Sequence, residues 1–63
     1  MKTSIMINGY KTMIRHNGNL LFAICDQLSI PFIEGRWLNN KKAIIRTENS
    51  TYYVEVIREY LRG

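Results

Sequence analysis

The 63-residue sequence predicts a single α+β domain spanning residues 1–63, because no repeat or linker divides the chain. Three observations predict this class. Segments rich in β-branched and aromatic residues flank two turn sequences. An apolar stripe with helical spacing lies between them. A proline separates that stripe from a second apolar segment, which predicts two short helical segments in a helix-turn-helix-like arrangement.

The first hairpin is predicted around Asn8-Gly9, between strands at residues 4–7 and 10–15. Asn and Gly both tolerate positive φ, as a two-residue type I′ turn requires. A second turn at residues 16–19 ends the hairpin, and its last residue, Asn19, is a suitable helix N-cap. The alternative is that residues 20–22 first continue as strand. The N-terminal third of the sequence therefore predicts a β-hairpin, then a turn, then the start of a helix.

The first helix follows from an apolar stripe of Leu20, Leu21, Ile24, Cys25 and Leu28. It is expected to end near Ser29, because Pro31 disfavours the helical region for Ile30. The second helical segment is predicted over residues 32–39. Gly35 weakens it by roughly 1 kcal/mol relative to Ala, so a turn or a short irregular helix is the alternative.

The second hairpin is predicted from residues 43–47 and 51–56 around the turn Glu48-Asn49-Ser50. The last stretch is ambiguous, because its apolar residues also fit a helical stripe. We expect a strand that becomes a short C-terminal helix near Ile57, and the choice between strand and helix for residues 51–61 stays open.

Charge favours an anionic partner. Nine Lys and Arg residues against five Asp and Glu residues give a net charge of +4, and no acid lies between Gly35 and Thr47. A second helix in the major groove would offer Glu34, Arg36 and Asn39 as readers of bases or phosphates. The alternative is a solvated basic surface. The predicted DNA-binding residues are Arg36, Asn39, Asn40, Lys41, Lys42 and Arg46.

Aromatic residues suggest a second class of function. Exposed tyrosines near a tryptophan are typical of protein-binding patches. The alternative is that these rings complete a thin core. The predicted protein-binding residues are Trp37, Tyr52, Tyr53 and Tyr60.

Catalysis, metal binding and cofactors are not expected. His16 is the only histidine and lies in a turn, and Cys25, the only cysteine, lies on the apolar helix stripe, so no catalytic set or metal ligand set is complete. A lone cysteine and the absence of a long apolar run predict a cytoplasmic protein. A second copy of the chain is an expected partner, because so short a chain buries a small core.

Several segments resemble the N-terminal domain of bacteriophage antirepressors of the Bro and KilA type. The segments are Ile7-Asn8-Gly9, Arg15-His16-Asn17-Gly18, Leu21-Phe22-Ala23-Ile24, the run from Asp26 to Phe32 and the run from Tyr53 to Leu61. The chain departs from the pattern by Ser29, where a glycine is usual, by a short middle segment and by the lack of a second domain.

The resemblance implies a phage or prophage regulator that binds DNA or a repressor protein. Together with the basic run, it makes a small DNA-binding regulator the leading hypothesis, acting through the second helical segment and the basic loop. The rival hypothesis is a protein that inhibits a host regulator, nuclease or defence factor.

Overall fold

The computed structural model describes residues 1–60 as a five-stranded antiparallel sheet with one helix packed on one face. The elements are β1 Lys2–Ile7, β2 Tyr10–Arg15, α1 Leu20–Gln27, a 3₁₀ turn Phe32–Glu34, β3 Gly35–Trp37, β4 Lys42–Arg46 and β5 Thr51–Tyr60. The strand order across the sheet is β2-β1-β5-β4-β3.

The first hairpin is confirmed, with the predicted turn. Asn8 and Gly9 have φ of +49° and +85°, as expected for a type I′ turn. Asn8 also joins the turn to the central strand: its backbone N–H donates to the Tyr53 carbonyl at 3.0 Å, and its Oδ1 accepts from the Tyr53 N–H at 2.8 Å. One residue thus shapes the turn and anchors it to β5.

The first helix is also confirmed, together with its cap. The Asn19 Oδ1 accepts from the Phe22 N–H at 3.0 Å. The C-terminal end closes with two backbone bonds, from the Ser29 N–H to the Asp26 carbonyl and from the Ile30 N–H to the Cys25 carbonyl. This pairing is a Schellman motif, in which Ser29 takes the left-handed conformation with φ of +58°.

The predicted helix-turn-helix-like arrangement is wrong. Only the single 3₁₀ turn Phe32–Glu34 forms after Pro31, and Gly35–Trp37 is strand β3, paired with β4. Gly35 lies in strand β3 directly beneath α1, where the helix comes close to the backbone. A Cβ at this position would lie 3.1 Å from the Cys25 Sγ, so a larger residue would require the helix to move away by a few tenths of an ångström.

The predicted C-terminal helix is wrong as far as Tyr60; Leu61 lies outside the described residues. Strand β5 continues through Ile57 to Tyr60, because β1 supplies backbone partners along this stretch. A β-bulge shifts the register, so that Ile5 opposes Val56 while Ser4 opposes Arg58. The second hairpin forms around residues 47–50, as the sequence indicates.

The core lies between α1 and one face of the sheet. Alternate residues of the strands point toward the helix and are buried with its apolar stripe. The core residues are Ile5, Ile14, Leu20, Leu21, Ile24, Cys25, Ala43, Ile45 and Val54.

Candidate nucleic-acid interface

The open face is defined here as the face of the sheet opposite α1. Because side chains alternate along a strand, the residues between the core positions point to this face. Strand β2 shows the pattern: Ile14 is buried toward the helix, whereas Lys11, Met13 and Arg15 are exposed on the other side. By the same register, the open face holds seven basic residues, namely Lys2, Lys11, Arg15, Arg36, Lys42, Arg46 and Arg58.

Strand register arranges these bases in rows that cross the sheet. Every row contains at least one Lys or Arg, so positive charge extends along the full length of the face. In order, the rows are Arg46–Thr51, Arg36–Ile44–Tyr53, Lys42–Glu55–Met6–Lys11, Arg58–Ser4–Met13 and Tyr60–Lys2–Arg15.

Charge is divided unequally between the strand positions of the open face and the rest of the described chain. Glu55, opposite Lys42, is the one acid that the register of the described strands places on the open face. The remaining Lys, Arg, Asp and Glu residues of the described chain are one base and four acids: Lys41, Asp26, Glu34, Glu48 and Glu59. Within residues 1–60, the charges at the strand positions of the open face therefore sum to +6 (seven bases and one acid), and the others sum to −3 (one base and four acids). Glu34 of the 3₁₀ turn lies beside one end of the open face, where it lines a cavity with Arg36, Ile44 and Arg46.

Two tyrosines lie on the open face with these bases. Tyr53 is 61% exposed on the central strand β5. Tyr60 lies at the other end of β5, and the Arg58 guanidinium carbon is 5.1 Å from the centre of its ring. The other two predicted protein-binding residues, Trp37 and Tyr52, lie on the helix side, so the four residues do not form one surface.

The predicted DNA-binding residues separate into two groups. Arg36, Lys42 and Arg46 lie on the open face, whereas Asn39, Asn40 and Lys41 belong to the turn between β3 and β4. The Asn39 Oδ1 accepts from the backbone N–H groups of Lys41 and Lys42, both at 2.8 Å, so this amide shapes the turn.

Sequence reasoning missed four basic residues of the open face: Lys2, Lys11, Arg15 and Arg58. A signal for two of them was present, because Lys11, Met13 and Arg15 recur at every second position of a predicted strand. Lys2 and Arg58 are brought to the same face only by the pairing of β1 with β5.

The lone histidine and cysteine have structural contacts. The Gly18 N–H donates to the His16 Nδ1 at 3.1 Å, which places the proton of the neutral ring on Nε2, where it is donated to the buried Thr3 hydroxyl at 2.7 Å. Burial raises the pKa of the Cys25 thiol above its ordinary value, so it stays protonated at neutral pH. Within residues 1–60, no three His, Cys, Asp or Glu side chains cluster as metal ligands would.

Comparison of the chain with protein-family models, with curated proteins and with solved structures finds no match. Residues 1–60 contain no helix with the length and apolar character needed to cross a membrane. The function is therefore inferred from the open face itself.

Proposed function

We propose that this protein is a non-enzymatic nucleic-acid-binding protein that binds DNA through the open face of its sheet. The observation that supports the proposal is the concentration of seven basic residues with one acid at the strand positions of that face. A role as a regulator of phage or prophage type is consistent with such binding and is part of the proposal.

The physical basis is electrostatic attraction between the phosphate backbone of DNA and the Lys and Arg residues of the open face. Bases kept only for solubility would be spread over both sides of a small protein. Here all Lys and Arg residues of the described chain except Lys41 share one face. Each cation that meets a phosphate releases condensed counterions, so binding is expected to weaken steeply with salt.

The test compares two lysines of similar exposure and different placement. Lys11 lies on the open face at strand β2, and Lys41 lies in the turn between β3 and β4. If the open face binds the backbone, Lys11→Gln should weaken binding and reduce the salt slope by about one unit, whereas Lys41→Gln should leave both nearly unchanged. Fluorescence anisotropy with labelled single-stranded and duplex DNA measures both quantities.

Two results would contradict the proposal. One is the absence of binding to any DNA at low salt. The other is an equal or larger loss from Lys41→Gln than from Lys11→Gln, which would move the interface to the turn. The double variant Lys11→Gln/Arg15→Gln provides a larger signal, because both residues lie on the same exposed face of β2.

We propose protein binding as a second candidate, on the basis of a separate apolar cluster. Phe22 of α1 and Phe32 of the 3₁₀ turn meet edge to face with ring centres 5.7 Å apart, and the neighbouring Ile33 is 87% exposed. A host protein captured from lysate after nuclease treatment, and lost in Ile33→Asp, would support an inhibitor role. Loss of every partner on nuclease treatment would count against it.

A further inference from the structure

We infer that the open face binds nucleic acid in single-stranded form, with an unpaired base stacked on Tyr53. This inference depends on the proposed function and specifies the ligand of the same face. Three features support it: the width of the sheet, the exposure and anchoring of Tyr53, and the Lys and Arg residues around that ring.

The width of the sheet excludes insertion into the DNA major groove. Five strands about 4.8 Å apart span about 19 Å, whereas the major groove is about 12 Å wide and admits a helix or a two-stranded ribbon. A duplex lying flat on the open face would offer phosphates to the basic residues and keep its bases stacked inside. A base of a duplex would reach Tyr53 only after unstacking, which costs free energy at each base step.

Tyr53 is well placed to stack a base. Its side chain is 61% exposed on the central strand, in the second of the five rows, although its ring has the apolar area of a core residue. Asn8 fixes its backbone through two hydrogen bonds: the Tyr53 N–H donates to the Asn8 Oδ1 at 2.8 Å, and the Tyr53 carbonyl accepts from the Asn8 N–H at 3.0 Å. An aromatic ring on an anchored backbone is a suitable stacking platform, because less conformational entropy is lost on binding.

The residues around Tyr53 suit a single-stranded nucleic acid, in which nucleobases alternate with phosphates along the strand. Ile44, directly opposite on β4, is 8% exposed and forms an apolar floor beside the ring. Arg36 continues the same row, and Arg46 and Lys42 lie in the adjoining rows, Lys42 opposite the acid Glu55. A base on Tyr53 would therefore have cations within reach of the phosphates on either side of it.

A second stacking position lies at the other end of β5. Tyr60 is seven residues from Tyr53, about 23 Å along an extended strand. The Arg58 guanidinium already lies near its ring and can stack on a base or meet a phosphate. The two tyrosines thus define a path along the central strand, bordered by basic residues of β1, β2 and β4.

The experiment measures binding of three labelled 20-mers of one mixed sequence: single-stranded DNA, single-stranded RNA and duplex DNA. Single strands should bind at least tenfold more tightly than the duplex. Tyr53→Leu should weaken single-strand binding about 5- to 100-fold, and Tyr53→Phe should retain it, because the ring supplies the stacking. The DNA and RNA arms show which sugar is preferred.

Tyr10→Leu is the matched control. Tyr10 is 78% exposed, but the register of β2 places it on the helix side of the sheet, opposite Ile7. Its replacement should leave binding unchanged. Thermal unfolding of each variant confirms that the sheet is intact.

The possible failures are distinguishable. Equal or tighter binding of the duplex, or wild-type affinity of Tyr53→Leu for single strands, would overturn the inference. The proposed function would survive either result, provided that binding still depends on salt and on Lys11. Absence of binding to all three probes would reject the proposed function and the inference together.

Discussion

Ser29 has a backbone conformation that is unfavourable for a residue with a Cβ. It occupies the left-handed position of the Schellman motif that ends α1, with φ of +58°. Side chains with a Cβ adopt this region at a cost of about 1–2 kcal/mol, which glycine avoids. The motif forms nevertheless, because the Ile30 and Ser29 N–H groups satisfy two carbonyls at the helix end.

Ser29→Gly is expected to increase the free energy of unfolding by about 0.5–1 kcal/mol. The gain from relieving the backbone exceeds the greater conformational entropy of glycine in the unfolded chain. Urea denaturation monitored by circular dichroism measures the change. Ser29→Ala, which keeps a Cβ, is the control and should show no gain; equal stabilisation by both variants would refute the strain argument.

Strand β3 shows how tertiary contact decides the type of an element. Residues 32–39 have apolar positions suited to one helix face, yet only one 3₁₀ turn forms before the chain joins β4. Gly35 is a poor helix former, and β4 supplies backbone partners for β3. Close approach of α1 to Gly35 then buries the helix stripe, including Cys25 and Leu21, against the edge of the sheet.

Gly35→Ala is expected to lower the free energy of unfolding by about 1–2 kcal/mol, because the new methyl group overpacks this contact. The backbone itself accepts alanine, with φ of −107°. A Cβ would lie 3.1 Å from the Cys25 Sγ and 3.3 Å from a Leu21 methyl carbon. Chemical denaturation measures the loss.

Cys25→Ala provides the matching test, since it removes the Sγ that the methyl group would meet. In a double-mutant cycle, Gly35→Ala should cost less in the Cys25→Ala background than in the wild type. Equal costs in the two backgrounds would show that the helix does not constrain β3 in this way.

At the scale of the whole molecule, fold and charge are organised by the two sides of one sheet. The helix side contains the core, and the open face contains the basic residues. A chain of this length has a small core and a modest free energy of unfolding. Ligand binding to the folded state should therefore have a large effect on stability. The expected homodimer stays a prediction.

Single-stranded DNA at about 100 times its Kd should stabilise the protein by about 2.7 kcal/mol and raise Tm by roughly 10–20 °C at low salt. The shift should decrease at high salt, because the ligand binds through its phosphates. Differential scanning fluorimetry with Trp37 emission measures Tm. The variant Lys11→Gln/Arg15→Gln should show a smaller shift, and an equal shift would contradict binding at the open face.

The sequence by itself determined the features that depend on neighbouring residues. Asn8-Gly9 predicts its type I′ turn because both residues tolerate positive φ, and Asn19 predicts the helix start because its side chain reaches an N–H three residues away. Pro31 marks the end of the helical region for the same local reason. Basic composition likewise favours an anionic partner whatever the fold.

The tertiary structure alone decided β3, the length of β5 and the face on which the bases lie. Lys2 and Arg58 are far apart in sequence and share a face because β1 pairs with β5 in a register shifted by a bulge. Trp37 and Tyr53 lie on opposite faces because of the pairing of β3 with β4 and of β4 with β5, although both are aromatic and exposed. Strand pairing is stabilised by contacts between residues that are far apart in sequence, so no local sequence pattern determines it.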